Sequence, residues 1–406
     1  MQKLLIISLN LPYPLSNGGA VAQYYFLEKM RKEYEITILI RVDREYQKKI
    51  FLELRQNLPE LKLLMFDAIP IKNQTNYINR ILNKIYKKLH LYPIIQETKK
   101  SSFDTFSFFN LVDPDFANFV VCALEKTNYD LVQLEFFDTL NLLPLIPKEV
   151  CKIFVHHEIG YKRLNKILNL KDVYDRYIIE NFKSYEEAML SYADRIIVFN
   201  NEDKKILSSL HKKVIVSPFG IPDELIQKMD YSKVFNKFVF LGKELHYPNK
   251  QGLQWFLDTI YIPNYDTFDF PILISGEWSV EFMRNYSSYS KIKFTGFISD
   301  ISTIYENSIM ITPILSGSGI RTKILQAFAN KIPVISTPFA AEGLYNHLSD
   351  EHIIFFEDNF DFIKKYKEIV TDNEAMTEIA KKGNIYYHDN FDTSKLVNIR
   401  KSAYHN

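Results

Sequence analysis

The sequence predicts an α/β protein made of two doubly wound parallel-sheet domains that face a central cleft. Three observations predict it. Short Ile/Leu/Val/Phe runs alternate with longer amphipathic segments along the chain, the pattern of a parallel sheet covered by helices. The runs are apolar on both parities, as strands buried on both faces must be. The rhythm is interrupted once, by VIVSPFGIP (214–222) and the polar stretch DELIQKMDYSKVFNK, and then restarts with FVFLG.

Each element follows from that rhythm. In the first half, strands are expected at Leu4–Leu9, Glu35–Arg41, Lys62–Phe66, Leu131–Leu134, Lys152–Val155 and Arg195–Phe199. In the second half they are expected at Phe238–Leu241, Ile272–Ser275, Ile292–Thr295, Ser308–Thr312, Pro333–Ser336 and Ile353–Phe356. Helical spacing marks Val21–Arg31, Tyr174–Tyr192, Gly252–Ile260 and Thr322–Asn330. The interruption places a boundary near 205–235, dividing the chain into domains 1–215 and 216–387. Ligands of such sheets bind beyond the carboxyl ends of the strands.

Composition narrows the class. A chain of 406 residues suits two to three domains. An apolar fraction of 47% with 24% charged residues excludes disorder, collagen and coiled coil as the main state. Lys+Arg 50 against Asp+Glu 49 gives +1, so no global field calls for nucleic acid and any anion site must be local. Cys122 and Cys151 belong to no CxxC or Cys/His cluster, which argues against a disulfide framework or structural zinc; both are expected in the core, in a reducing compartment. The N-terminal run MQKLLIISLNLPYPL breaks at Asn10 and Pro12 with no small-residue cleavage site, so it reads as a buried strand rather than a signal peptide. No apolar stretch approaches the ~18 residues of a membrane span. A cytoplasmic protein, soluble or peripheral at the membrane, is expected.

One segment departs from this balance. Lys72–Lys100 carries seven Lys/Arg and one acidic residue. Ile78, Ile81, Leu82, Ile85 and Leu89 follow helical spacing, with Arg80, Lys84, Lys87 and Lys88 on the other faces. Residues 76–91 suit peripheral contact with an anionic membrane, or a surface helix that packs its apolar stripe on its own domain.

Four motifs can carry chemistry. Ser316–Lys323, SGSGIRTK, follows the apolar run IMITPIL and opens the helical pattern TKILQAFAN. Gly317 and Gly319 let the backbone approach a ligand, the helix start offers free N–H groups, and Arg321 and Lys323 add two cations. This is a plausible diphosphate cradle, although a tight turn has the same glycines. It is neither a GxxxxGK loop nor a dinucleotide fingerprint, since position 322 is Thr. Asn17-Gly18-Gly19 permits a tight turn after the first strand, facing the cleft from the other domain. His156-His157-Glu158 follows CKIFV; one histidine is expected as a hydrogen-bond donor or acid/base, with a structural histidine as the plainer alternative. Glu342-Gly343 ends the segment after PVIS, where a carboxylate could bind sugar hydroxyls or merely begin a helix. Asp113-Pro114-Asp115 has no strand before it and is discounted as a metal motif.

These residues resemble a family. SGSGIRTKILQAFANK followed by PVISTPFAAEGL resembles the donor-binding half of GT-B glycosyltransferases of the family-4 type. PYPLSNGG resembles the family's N-terminal glycine loop, HHEIGYKR its His-containing strand end, and YADRIIVFNNED the strand before its linker. VSPFGIP resembles its interdomain segment, and FLGKELHYPNKQGLQWF the first strand–loop–helix of its donor domain. The resemblance spans nearly the whole chain. It implies two Rossmann-like domains, a chain end (about 388–406) that crosses back to the first domain, and a nucleoside-diphosphate sugar, UDP or GDP type, as substrate. It further implies retention at the anomeric carbon, no cofactor and no metal. The acceptor could be a glycan, a lipid-linked saccharide or a protein.

By that resemblance Arg321 and Lys323 stabilise the departing diphosphate, and His157, or else His156, contacts the sugar or leaving group. Gly18, Gly19, Gly242, Ser316, Gly317, Ser318, Gly319, Ile320, Gln326, Glu342 and Gly343 line the donor. The sequence departs from the family at two positions: many members carry two glutamates eight residues apart, where Ser318 and Gln326 stand here. Gln326 can still accept from a ribose hydroxyl but without the charge-assisted part, and it leaves room for a non-catalytic subunit that stabilises a partner transferase. A nucleotide-sugar 2-epimerase would need an acid/base carboxylate set in the first domain, and none is evident in the sequence.

Overall fold

The computed structural model describes residues 1–68, 112–211, 213–298, 301–317, 320–344 and 348–405. The basic segment at 76–91 lies outside them.

The first sheet contains β1 (Lys3–Ser8), β2 (Glu35–Val42), β3 (Lys62–Asp67), β4 (Leu131–Glu135), β5 (Cys151–Val155), β6 (Arg195–Val198) and β7 (Val214–Val216). Its order is β3-β2-β1-β4-β5-β6-β7, and every pairing is parallel. The second sheet contains β8 (Lys237–Leu241), β9 (Ile272–Ser275), β10 (Ile292–Gly296), β11 (Ser308–Thr312), β12 (Val334–Ser336) and β13 (Ile354–Phe355). Its order is β10-β9-β8-β11-β12-β13, again parallel throughout. The strand order reverses at β1/β4 and at β8/β11, so each sheet has a switch point where loops part to make a crevice.

Every expected strand is present, and one was missed. Val214–Val216, read as part of the interruption, is the edge strand β7; its pairing with β6 extends to Ser217 N–H donating to Val198 O at 2.8 Å. Three residues ahead of Pro218 carry too little pattern to announce a strand.

The helices that matter here are α1 (Gly18–Met30), α2 (Glu45–Asn57), α3 (Pro114–Lys126), α4 (Gly160–Ile167), α5 (Val173–Leu190), α6 (Asn201–Leu207), α7 (Tyr247–Phe256), α8 (Thr322–Ala329), α9 (Asn373–Phe391) and α10 (Thr393–His405). Asn17 caps α1 by accepting from Ala20 N–H at 2.9 Å. Asp113 caps α3 by accepting from Phe116 N–H at 2.8 Å and pairs with Arg41, so Asp-Pro-Asp is a helix start. Cys122, expected in the core, is exposed on α3, while Cys151 is half-buried. Helix α7 begins five residues earlier than its apolar spacing suggests, because Pro248 suits the first turn. Gly252 lies inside it, where a Cβ would come 2.2 Å from Pro313 O; the glycine lets α7 press against the end of β11.

One core cluster runs from the β1/β2 face through the second sheet and takes in Leu396, Ala403 and Tyr404 of α10. The opposite face of the first sheet packs Leu5, Ile7, Val132 and Leu134 against Phe116 and Val120 of α3. The C-terminal tail thus belongs spatially to the first domain. Tyr404 meets Tyr34 edge-on at 5.4 Å, and the Arg400 guanidinium lies 3.6 Å over the Phe26 ring. Among the described residues no helix is long and apolar enough to cross a membrane.

Candidate functional site

The site is built where the two switch points face each other. On the second domain, the chain leaves β11, turns through Ser316 and Gly317, and enters α8. Gly317 has φ +105, a conformation that side chains rarely adopt. A Cβ there would also crowd the Arg321 guanidinium at 3.2 Å. Arg321, the residue before α8, donates to Ser316 O at 3.2 Å and lies 5.6 Å over the Phe339 ring. Ser316 donates its hydroxyl to Gln251 Oε1 at 2.6 Å.

Lys323, in the first turn of α8, donates to Asn249 Oδ1 and stands 4.6 Å over the Phe240 ring. Gly242, at the end of β8, makes room for it: a Cβ there would fall 3.0 Å from Lys323 Nζ and 2.6 Å from Asn249 Nδ2. The Gly242 carbonyl is pinned by Trp278 Nε1–H at 2.8 Å, and a Cβ on Gly276 (φ +132) would strike that same oxygen at 2.1 Å. Both cations are half-buried and held by named partners.

The electrostatics follow from that packing. Desolvation, reinforced by Arg321, pulls the Lys323 ammonium down to about 7. Burial also pulls Arg321 down, partly offset by Glu158 and Glu342. His246, the residue before α7, is pulled down to about 4 by desolvation and then by Lys323 and Arg321. Its ring is therefore neutral at pH 7. Two cations crowded beside a helix start form a local positive field that an anion would relieve.

The first domain supplies the facing wall. Gly18 lies against the start of α8, where a Cβ would be 3.3 Å from Thr322 Cγ2. Gly19 lies against Phe136; a Cβ would come 2.7 Å from its ring. Phe136 stacks on His157 with centroids 3.9 Å apart, and Phe199 meets the same imidazole edge-on at 5.1 Å. His157 Nε2 is 2.5 Å from Glu135 Oε2.

The two histidines separate cleanly. His156 is buried, its Nε2 2.9 Å from the equally buried Glu186 Oε1. Glu186 also accepts from Gly160 N–H at 3.0 Å and Tyr161 N–H at 3.3 Å. His156 therefore belongs to the architecture of α4 and α5, and His157 to the cleft. Glu158 pairs with Arg163 at 3.3 Å and acts on Arg321 across the domains.

Of the remaining expected residues, Ile320 is half-buried and Glu342 is exposed. Gly343 has φ +81. Gln326 is half-buried on α8, one turn beyond Lys323 and on its face. Ser318 and Gly319 lie outside the described residues. Among the described residues no group of three His/Cys/Asp/Glu is placed to hold a metal ion.

Residues 236–372 match the family model described as Glycosyl transferases group 1. The second domain is a glycosyl transferases group 1 domain. The chain also superposes along its length on GT-B structures. One is HepE from Anabaena in complex with UDP and glucose (TM-score 0.66, 11% identity, 99% of each chain). Another is TarM, known from S. aureus (TM-score 0.68, 11% identity, 100% of this chain and 99% of that one). The fold is GT-B. In sequence the chain is 24% identical over 409 residues, 98% of each chain, to an uncharacterized 44.6 kDa protein in the cps region of Klebsiella pneumoniae.

Three members of the site escaped sequence reading. His246 and Asn249 stand in the loop and first turn after β8, where only the position of the loop could have suggested them. Glu135 carried a clearer signal: in LVQLE, Gln133 and Glu135 alternate with apolar residues on a strand buried on both faces, and a buried carboxylate has to be paired.

Proposed function

We propose that this group 1 glycosyltransferase moves a sugar from a nucleoside-diphosphate sugar to a glycan, lipid-linked saccharide or protein acceptor, with retention at the anomeric carbon. The observation that carries the reading is the convergence, at one interdomain crevice, of Arg321 and Lys323 with Gly18 and Gly19 at the start of α1 and with His157. The two cations and the start of α8 take the diphosphate, stabilising charge that grows as the glycosidic bond breaks. His157 contacts the sugar, and Gln326 accepts from the ribose. The UDP bound by HepE favours UDP over GDP as the donor nucleotide. A nucleotide-sugar donor fits action in the cytoplasm, at the inner membrane face if the acceptor is lipid-linked.

Arg321→Ala tests the reading. Removing one donor to developing charge costs on the order of 3 kcal/mol, about a hundredfold in turnover at ~1.4 kcal/mol per decade. A folded Arg321→Ala variant with near-normal transfer and near-normal UDP affinity would sink it. We further propose that no divalent metal takes part, since two cations already face the diphosphate site; activity lost to chelator and restored by Mg²⁺ or Mn²⁺ would show otherwise. Gln326, standing where many relatives have Glu, favours one competing reading, a non-catalytic subunit. That reading predicts nucleotide binding with neither transfer nor donor hydrolysis by the pure protein.

A further inference from the structure

The cleft histidine is the end of a buried chain of hydrogen bonds that starts on the C-terminal helix. Tyr404 O–H donates to Gln133 Oε1 at 2.5 Å, and Gln133 Nε2–H donates to Glu135 Oε1, also at 2.5 Å. The second oxygen of Glu135 faces His157 Nε2. Tyr404, Gln133 and Glu135 are all buried, at 2%, 1% and 3% exposure, so no solvent path substitutes for these bonds. We propose that Glu135 and Gln133 are positioning residues for His157, and that α10, through Tyr404, completes the catalytic wall of the first domain. The proposal rests on the reading of His157 as a contact to the donor sugar.

The chain has a direction. The Gln133 amide is gripped at both ends: its oxygen accepts from a phenol and its nitrogen donates to a carboxylate. Flipping it would set the amide oxygen against the carboxylate, acceptor against acceptor. Burial pushes Tyr404 up to about 12, so its hydroxyl stays a donor. Glu135 accepts from Gln133 at one carboxyl oxygen, and acceptance at the other as well calls for hydrogen on the imidazole nitrogen facing it. The other ring nitrogen, Nδ1, is then left as an acceptor for a substrate hydroxyl. The stacked Phe136 fixes the plane of the ring, and the carboxylate fixes its rotation within that plane.

The far end is equally anchored. Arg195 donates to the Tyr404 carbonyl and to Cys151 Sγ, the latter at 3.2 Å. Arg400, fully buried and stacked on Phe26, donates from Nε to Ser217 Oγ at 2.9 Å and lies close enough to Glu135 to feel its charge. Helix α10 thus brings both a hydrogen bond and a cation to the floor beneath His157. A helix that served only to bury Leu396 and Ala403 would need neither.

The test uses the full-length protein and its Glu135→Gln, Gln133→Met and Tyr404→Phe variants, with ¹⁵N-labelled histidine and His157→Gln for assignment. In the wild type, the ¹⁵N shifts of His157 should report one tautomer, with hydrogen on Nε2. Glu135→Gln and Gln133→Met should mix in the Nδ1–H tautomer, and Tyr404→Phe should do so to a smaller extent. Because a ~1 Å misplacement costs about a hundredfold in related settings, kcat/KM for the donor should fall at least tenfold in Gln133→Met while the Kd for UDP stays within about twofold. If Glu135→Gln does not fold, Gln133→Met and Tyr404→Phe read the same chain from its other end. An unmoved His157 tautomer in these variants overturns the proposal. A shifted tautomer together with unimpaired transfer by His157→Gln overturns it differently: the hydrogen-bond chain stands, and the role assigned to His157 falls.

Discussion

Lys323 gives a prediction that reaches past simple loss of activity. Its ammonium, pulled down to about 7 by desolvation and by Arg321, is about half protonated at neutral pH in the unliganded protein. A diphosphate placed beside it reverses the balance. At ~4 Å and an effective dielectric near 20, one charge pair contributes about 4 kcal/mol, against ~1.4 kcal/mol for each pH unit of protonation. Binding should therefore draw a proton onto Lys323. Above pH 7 the terminal phosphate is already ionised, given a second pKa near 6, and His246, at about 4, is already neutral. Lys323 is the group that titrates in this window. The Kd for UDP should rise from pH 7 upward and approach about tenfold per pH unit by pH 9. Calorimetry at pH 8 in two buffers of different ionisation enthalpy should show uptake of nearly one proton. Lys323→Met should bind more weakly at pH 7, with a Kd that is flat from 7 to 9 and no uptake. A flat wild-type profile, or a variant that keeps the slope, would refute the argument. The same shift has a stability counterpart of fixed sign. Because the unfolded chain holds a proton near pH 8–10 that the folded one lacks, the contribution of Lys323 should make the unliganded protein more stable as pH rises from about 7 toward 10.

Two further predictions follow from geometry and sequence. Gly19→Val should force Phe136 off the His157 ring; denaturant melts should show a loss of about 1–3 kcal/mol from overpacking, and transfer should fall further than the stability loss explains. Replacing Arg80, Lys84, Lys87 and Lys88 with Gln should weaken binding to anionic liposomes if residues 76–91 bring the protein to a membrane; unchanged binding, or none in the wild type, removes that idea.

The fold was legible because strands buried on both faces leave a strong apolar signature, and β1, β8 and β11 announce themselves in KLLIIS, KFVFL and SIMIT. The edge strand β7 did not, since one-sided pairing needs only three residues. The cation-bearing turn was legible for a different reason: two glycines, a helix start and two basic residues are contiguous in sequence. What stayed hidden was whatever depends on packing across the chain. Nothing in HHEIG says that His156 turns inward to Glu186 while His157 turns to Glu135. Nor does RTK say that Lys323 will be desolvated over Phe240. Those outcomes are set by residues tens of positions away. The alternation of Gln133 and Glu135 within a buried strand was the one available hint, and it was visible only once β4 was extended by a residue.

The route of the chain limits how the cleft can work. The polypeptide leaves the first domain after β7 and returns at Asp392, so the second domain is an insertion, tethered by two crossings rather than one. The crossings are joined where Ile221 N–H donates to the Tyr387 hydroxyl at 2.9 Å, and the first of them is tied to α1 by the Asp223–Lys29 pair at 2.7 Å. A doubled tether restricts how one domain can turn against the other more than a single one would. Across the cleft Thr322 stands next to Gly18. The route of the chain also means that residues 1–216 alone are not a domain, because the floor beneath His157 is held by Tyr404 and Arg400 of α10.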